Sequence, residues 1–258
     1  MLIFKKKLNV FIAVTAIFGD YDILHKQPDL PNVKYVCITD NPERLKNNSY
    51  NYCVIDYKNF KDIKPNWSPR KKTYFIRYNL LKIFKDTKYI IWHDADLLLN
   101  KTVLNYYLNM CNNTQYEFFY LSNFNFGYDI KNYFKYSPWI TQSVFKYNIQ
   151  KNFYEKNKEF IHKNEDIKIC HGKFRIIKNT LKNNNCLKKI YNFLTETDNT
   201  DFIFILDEPI TGIFLENNEI NKFDISLDNN WYKQLLDDQK LSVFYHNSDK
   251  YRFILSNC

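Results

Sequence analysis

The run Ile90-Ile-Trp-His-Asp-Ala-Asp-Leu-Leu-Leu99 constrains this chain more than any other stretch, because it sets two carboxylates between two strongly apolar segments. Burying an unpaired charge is costly, so Asp94 and Asp96 belong where an apolar element ends and a cation is within reach. Residues 88–93 read as a short buried strand. Residues 69–86 before it read as a helix, with Pro69 at its start and Tyr74, Tyr78 and Leu81 at i, i+4 and i+7 on one face. This passage delivers the acidic pair to the carboxyl end of a strand, where open α/β sheets place their ligand crevice.

The rest of the chain alternates in the same manner. Lysines 5–7 followed by apolar residues 8–18 look superficially like a secretory signal, but the run is too short to span a bilayer. Its β-branched and aromatic residues Val10, Phe11, Ile12, Val14, Thr15 and Ile17, closed by Gly19, predict a buried first strand. Residues 33–39 predict a second strand ending at Asp40, and residues 52–57 a third. Helices are expected at 101–110, 180–194 and 207–217, a helix-rich region at 137–163, and a strand at 172–178. A last strand at 241–246 is expected to return to the site. No repeat, linker or composition break divides the sequence, so a single α/β domain over 1–258 is expected, with a mixed central sheet flanked by helices.

A hydrophobic content of 45% with 18% aromatic residues can fill a sizeable core, and 21 Tyr and 22 Phe against 4 Gly and 7 Pro exclude the disordered and fibrous classes. The net charge of +9 suits an anionic partner, whether a nucleotide diphosphate, an acidic glycan, a membrane surface or nucleic acid, and equally serves solubility. Six cysteines without a CxxC pair or zinc-like spacing read as free thiols, which favours a reducing compartment and a cytoplasmic location. No transmembrane segment is expected, and peripheral membrane contact stays open.

Two DxD triplets occur, Asp20-Tyr21-Asp22 and Asp94-Ala95-Asp96. A hard divalent ion such as Mg²⁺ or Mn²⁺ takes carboxylate and phosphate oxygens, so the second triplet together with a diphosphate makes a sensible coordination sphere. The alternative is that Asp94 and Asp96 cap the helix expected from Lys101. A haloacid-dehalogenase-like phosphatase also carries its nucleophile in a strand-borne DxD, but that strand normally comes first in its domain. A basic nucleic-acid-binding module is a third reading, for which the chain offers no recognised motif, so no nucleic-acid partner is expected.

Around these residues the sequence resembles known glycosyltransferases. Residues 78–99 resemble the helix, strand and DxD of the galactosyl/xylosyltransferase and glycogenin-like families. Thr15-Ala-Ile-Phe-Gly-Asp-Tyr-Asp22 followed by Tyr35-Val-Cys-Ile-Thr-Asp-Asn41 resembles the start of a glycosyltransferase-like family of plants, bacteria and phages, long known only as a domain of unknown function. Gly172 to Asn179 is similar to the glycine-led strand lining the sugar pocket of such enzymes, and Leu206-Asp-Glu-Pro-Ile210 stands in the place of their Asp-Gln element.

The resemblance implies a GT-A (Rossmann-like) nucleotide-diphospho-sugar transferase fold, with residues up to about 100 forming a nucleotide-binding half and the remainder an acceptor-binding half. It implies transfer of a sugar, a hexose or similar, from a nucleotide-diphosphate sugar to a glycan or other hydroxyl acceptor, with Mn²⁺ or Mg²⁺ and a UDP-sugar as expected donor. Asp94, Asp96 and His246 would hold the metal. Asp20, Tyr21, Asp40, Arg77, Asp94 and Lys250 would bind the donor, with Tyr21 stacking on the base and Arg77 and Lys250 on the phosphates. Asp207 or Glu208 would handle the acceptor. Each has an ordinary alternative: turn chemistry for Asp20, Asp22 and Asp40, a solvated helix charge for Arg77, a strand-end histidine for His246, and helix capping for Asp207 and Glu208.

Overall fold

Four strands form the parallel side of a seven-stranded sheet: β1 (Phe11–Ile17), β2 (Val33–Thr39), β3 (Tyr52–Asp56) and β4 (Tyr89–His93). Every residue of β1 and β4 is buried, as expected of strands covered on both faces. The computed structural model describes residues 11–19, 24–46, 51–122, 129–132, 151–152, 154–196, 207–228 and 244–246. Within these, three further strands, β6 (Phe118–Tyr120), β7 (Phe174–Lys178) and β8 (Lys222–Asp224), complete the order β3-β2-β1-β4-β7-β6-β8. β7 runs antiparallel to both β4 and β6, so the sheet is mixed.

The chain order creates a reversal beside β1. From β1 the chain moves outward through β2 and β3, then crosses back through helix α2 (Pro69–Tyr78) to lay β4 along the other side of β1. Such a reversal opens a crevice at the carboxyl ends of the two inner strands. The register Val14↔Trp92, continued two residues, brings Asp94 level with Ala16 at that edge.

Alternation along the strands divides the core between the two faces. Ile12, Val14, Val36, Ile90 and Trp92 pack with α2, helix α6 (Leu181–Glu196) and helix α7 (Asp207–Asn217); Phe11, Ala13, Tyr35, Tyr89 and Ile91 pack with helix α4 (Lys101–Asn113). The helix expected over 69–86 is instead two pieces. α2 is capped by Ser68 and ends at Asn79, and α3 (Leu80–Ile83) follows. At the junction Asn79 donates both its backbone N–H and its side-chain amide to the Phe75 carbonyl, and its backbone, at φ −112° and ψ 14°, leaves the helical region.

Two short helices, α1 (Pro42–Lys46) and α5 (Lys158–His162), add Leu45 and Ile161 to the core, and most of the helix-rich region expected at 137–163 falls outside the described residues. β6, β8 and a three-residue strand β5 (Leu97–Leu99) have no counterpart in the sequence reading. Strand β9 (Phe244–His246) does, and it pairs antiparallel with β5. Among the described residues no helix is long and apolar enough to cross a membrane, and Cys37, Cys53, Cys111, Cys170 and Cys186 are free thiols.

Helix α7 docks tightly on the segment that leads into β7. The Cys170 N–H donates to the Glu208 carbonyl, and Gly212 lies against Lys168, where a Cβ would stand 2.2 Å from the Lys168 carbonyl oxygen. Backbone cannot yield as a side-chain tip can. Gly212→Ala should therefore cost about 3 kcal/mol, the upper end of the usual overpacking range, in a urea unfolding experiment. A loss under about 1 kcal/mol would contradict this close approach.

Candidate active site at the carboxyl end of β4

Asp94 is the first residue beyond β4, and its backbone is pinned there. Its N–H donates to the Lys173 carbonyl at 2.9 Å, and its own carbonyl accepts from Leu97 at 3.2 Å, turning the chain from β4 into β5. His93 braces the turn from inside. Tyr52 Oη lies 3.3 Å from His93 Nε2, while Nδ1 lies 2.9 Å from the Asp94 carbonyl, an arrangement that puts the ring proton on Nδ1. Burial pushes the His93 pKa down to about 4 against the opposing pull of Asp94, so this ring is a neutral strut at pH 7.

The Asp94 side chain is 30% exposed and accepts through Oδ1 from Arg77 Nη2 at 2.8 Å and Trp92 Nε1 at 3.3 Å. Its Oδ2 has no hydrogen bond among the described residues. Arg77 reaches from α2 between the rings of Tyr74 and Trp92, 4.9 and 4.8 Å from its Cζ, and its Nη1 donates to Asp207 Oδ2 at 2.9 Å. Burial alone would lower the pKa of this guanidinium, but Asp94 and Asp207 outweigh it and hold the group charged. Gly172 allows the close packing, since a Cβ there would stand 2.8 Å from Arg77 Nη1.

Asp207 is almost fully buried and densely bonded. Besides Arg77 it accepts from Tyr78 Oη at 2.8 Å, Tyr74 Oη at 3.3 Å and Arg175 Nη2 at 3.5 Å. Because the single Tyr78 proton goes to Asp207, Thr211 is the donor in its 2.9 Å contact with Tyr78 Oη. Burial raises the pKa of both tyrosines and keeps them protonated donors. Arg175, with no exposed surface, also meets Tyr78 Oη, the Cys170 carbonyl and Thr211 at 3.4 to 3.5 Å. Two guanidiniums thus face two carboxylates, the balance that a buried charged cluster requires.

Glu208 lies beside this cluster. Its Oε1 accepts the Gly172 N–H at 2.9 Å and lies 3.6 Å from His171 Nδ1. That nitrogen already accepts from Lys173 N–H at 3.1 Å, so the ring proton sits on Nε2 and the imidazole is neutral. Burial, reinforced by the Lys173 charge, pushes the His171 pKa down to about 3. For Glu208, burial first and the charge of Asp207 second push the carboxyl up to about 7, against the opposing Gly172 N–H and the two arginines. Glu208 is therefore a carboxyl able to exchange a proton near neutrality.

The remaining sequence-derived residues divide by position. Asp40 accepts the Gly19 N–H with both carboxylate oxygens, at 3.0 and 3.1 Å, and ties the positive-φ turn after β1 to the end of β2. Asp96 lies partly exposed in the turn between β4 and β5. His246 stands opposite Leu97, so its backbone is level with the residue after Asp96. Asp20, Tyr21, Asp22 and Lys250 lie outside the described residues. Helix α4 is capped by Asn100, which accepts from Thr102 and Val103, so the capping alternative for Asp94 and Asp96 does not hold.

Among the described residues no group of three or more His, Cys, Asp or Glu stands ready to hold a metal. Asp94 and Asp96 supply two hard, partly exposed carboxylates, a donor set that fits Mg²⁺ or Mn²⁺ when a ligand adds further oxygens. The sequence reading missed Tyr74, Tyr78, Arg175 and His171 as site residues. One of these had left a signal: an arginine inside the apolar run Phe174-Arg-Ile-Ile must meet a buried carboxylate.

No protein-family model matches this sequence, and no curated protein matches it. Among solved structures it is similar to mouse xyloside xylosyltransferase 1 in its apo form, with a TM-score of 0.48 and 9% identity over 93% of this chain and 98% of that one.

Proposed function

We propose that this chain is a GT-A glycosyltransferase moving a sugar, a hexose or similar, from a nucleotide-diphosphate sugar to a hydroxyl on a glycan, protein or small acceptor. The observation that supports it best is the continuous chain Asp94–Arg77–Asp207, which couples the acidic pair at the crevice edge to the acidic pair opening α7. One pair suits the diphosphate end of such a donor and the other the acceptor end, with residues up to about 100 serving the donor. The phosphatase alternative fares worse, since three parallel strands precede the acidic strand.

Asp94 and Asp96 would hold a divalent ion, with His246 from β9 and donor oxygens completing its sphere. Such an ion supplies charge neutralisation for the departing diphosphate. The chain's own residues do the rest. Arg77 occupies Asp94 Oδ1 and so leaves Oδ2 for the crevice. Glu208, as carboxylate, takes the acceptor hydroxyl proton while the acceptor oxygen bonds the anomeric carbon and the diphosphate leaves with the electron pair of the broken bond.

A screen of nucleotide sugars by thermal stabilisation, with and without manganese, tests this reading directly. A cognate donor at a hundred times its Kd should add about 2.7 kcal/mol. Asp94→Asn and Asp96→Asn should each remove the manganese-dependent part; Asp96→Asn should leave the unliganded melting temperature nearly unchanged, whereas Asp94→Asn should lower it because buried Arg77 loses a charged partner. Unaltered donor affinity in both variants would sink the metal assignment, and no turnover of any nucleotide sugar would sink the function.

A further inference from the structure

Lys72 is a largely buried lysine whose amine meets no carboxylate among the described residues. It is 6% exposed, and its Nζ lies 4.5 Å from the ring centre of Tyr57 and 5.8 Å from that of Phe18, two rings that themselves meet edge to face. Phe18 directly follows β1 and Tyr57 directly follows β3. The amine therefore stands at the carboxyl edge of the parallel strands, on the rim that also carries Asp94.

Aromatic faces return only part of the cost of taking an ammonium out of water, and a fully compensated site needs a negative charge. The contrast with Arg77 is informative. Both amino groups of that residue are taken by Asp94 and Asp207, and Arg175 is sealed beneath them with no exposed surface. Among the described residues Lys72 is a cation on this rim that no carboxylate meets, five residues before Arg77 on the same helix. A crevice edged by Asp94 and Asp96 needs such a cation to accept a phosphate group.

We propose that Lys72 is a binding residue for the phosphate groups of the ligand, with the Tyr57 and Phe18 rings holding its amine at the end of β1. In its choice of ligand the inference rests on the donor reading above; in its choice of an anion it rests on Lys72 alone.

Calorimetric titrations of inorganic pyrophosphate, UDP and uridine into the full chain with magnesium test it, using wild type, Lys72→Met and Lys72→Arg. Pyrophosphate and UDP should bind at least tenfold more weakly to Lys72→Met and recover in Lys72→Arg, while uridine is unaffected. The unliganded melting temperature of Lys72→Met should equal or exceed that of wild type, because an apolar chain of similar length replaces a charge that no carboxylate among the described residues meets. Lys72→Gln supplies the same comparison should the methionine variant fold poorly. Equal pyrophosphate affinity in wild type and Lys72→Met, equal losses for UDP and uridine, or a wild type that binds no pyrophosphate would each overturn the assignment. Lys72-dependent pyrophosphate binding without turnover of any nucleotide sugar would keep the anion site and sink the transferase reading; turnover with Lys72-independent binding would do the reverse.

Discussion

Asp207→Ala should lower the stability of the fold by about 3 to 5 kcal/mol, the cost of removing one partner from a buried charged network. The carboxylate accepts from Arg77, Tyr74, Tyr78 and Arg175, and deleting it leaves two guanidiniums with Asp94 as their one remaining carboxylate in the cluster. Asp207→Asn keeps the shape but loses the charge, and should fall between alanine and wild type. Urea unfolding monitored by circular dichroism reads both. A helix cap alone is worth about 1 kcal/mol, so a loss that small for the alanine variant would reduce Asp207 to capping chemistry and remove it as the hub of the site. Donor affinity should fall in the same variants, because Arg77 loses one of the two anchors that orient it on Asp94.

Glu208→Gln should cut transfer by about a hundredfold or more while donor affinity stays close to normal, as expected when a general base is lost and the binding residues remain. The amide oxygen can still accept the Gly172 N–H, so the fold has no reason to shift. Full turnover at saturating donor and acceptor would eliminate Glu208 from the chemistry.

A second signature is independent of activity. The carboxyl is raised from 4.5 to about 7 in the folded chain. Below pH 4.5 it is protonated in both folded and unfolded states and contributes no difference. Between 4.5 and 7 the unfolded chain releases its proton first, so stability falls as pH rises and the full penalty is present above 7. That penalty is on the order of 3 kcal/mol. Glutamine cannot ionise, so the variant should gain on wild type across this window and match it below. Stability curves that run parallel from pH 4 to 8 would refute the raised pKa.

Where a feature depended on local pattern, the sequence made it legible. The largely apolar, β-branched and aromatic runs at 33–39 and 88–93 read as covered strands and are such, and the helix starting at Pro69 carries its serine cap one residue earlier. The interruption at Asn79 and the three-residue strands β5, β6 and β8 were not legible, since a single residue leaving helical backbone angles and a strand too short to show alternation leave little periodic trace. Tyr74 and Tyr78 illustrate the same limit. Their spacing identified a buried helix face correctly, yet both hydroxyls point to a carboxylate about 130 residues away in the chain.

The sequence by itself determined that an acidic pair would stand at the end of a buried strand, because carboxylates between apolar runs have few places to go. Only the tertiary structure decided what those carboxylates meet. The crossover that sets β4 beside β1, and the antiparallel β7 that lays Gly172 against Arg77, bring residues 77, 94, 175 and 207 into one charge-balanced cluster. Partner choice among distant charges depends on strand order and close backbone approach, neither of which leaves a local periodic trace, whereas burial of a strand is written in its own residues.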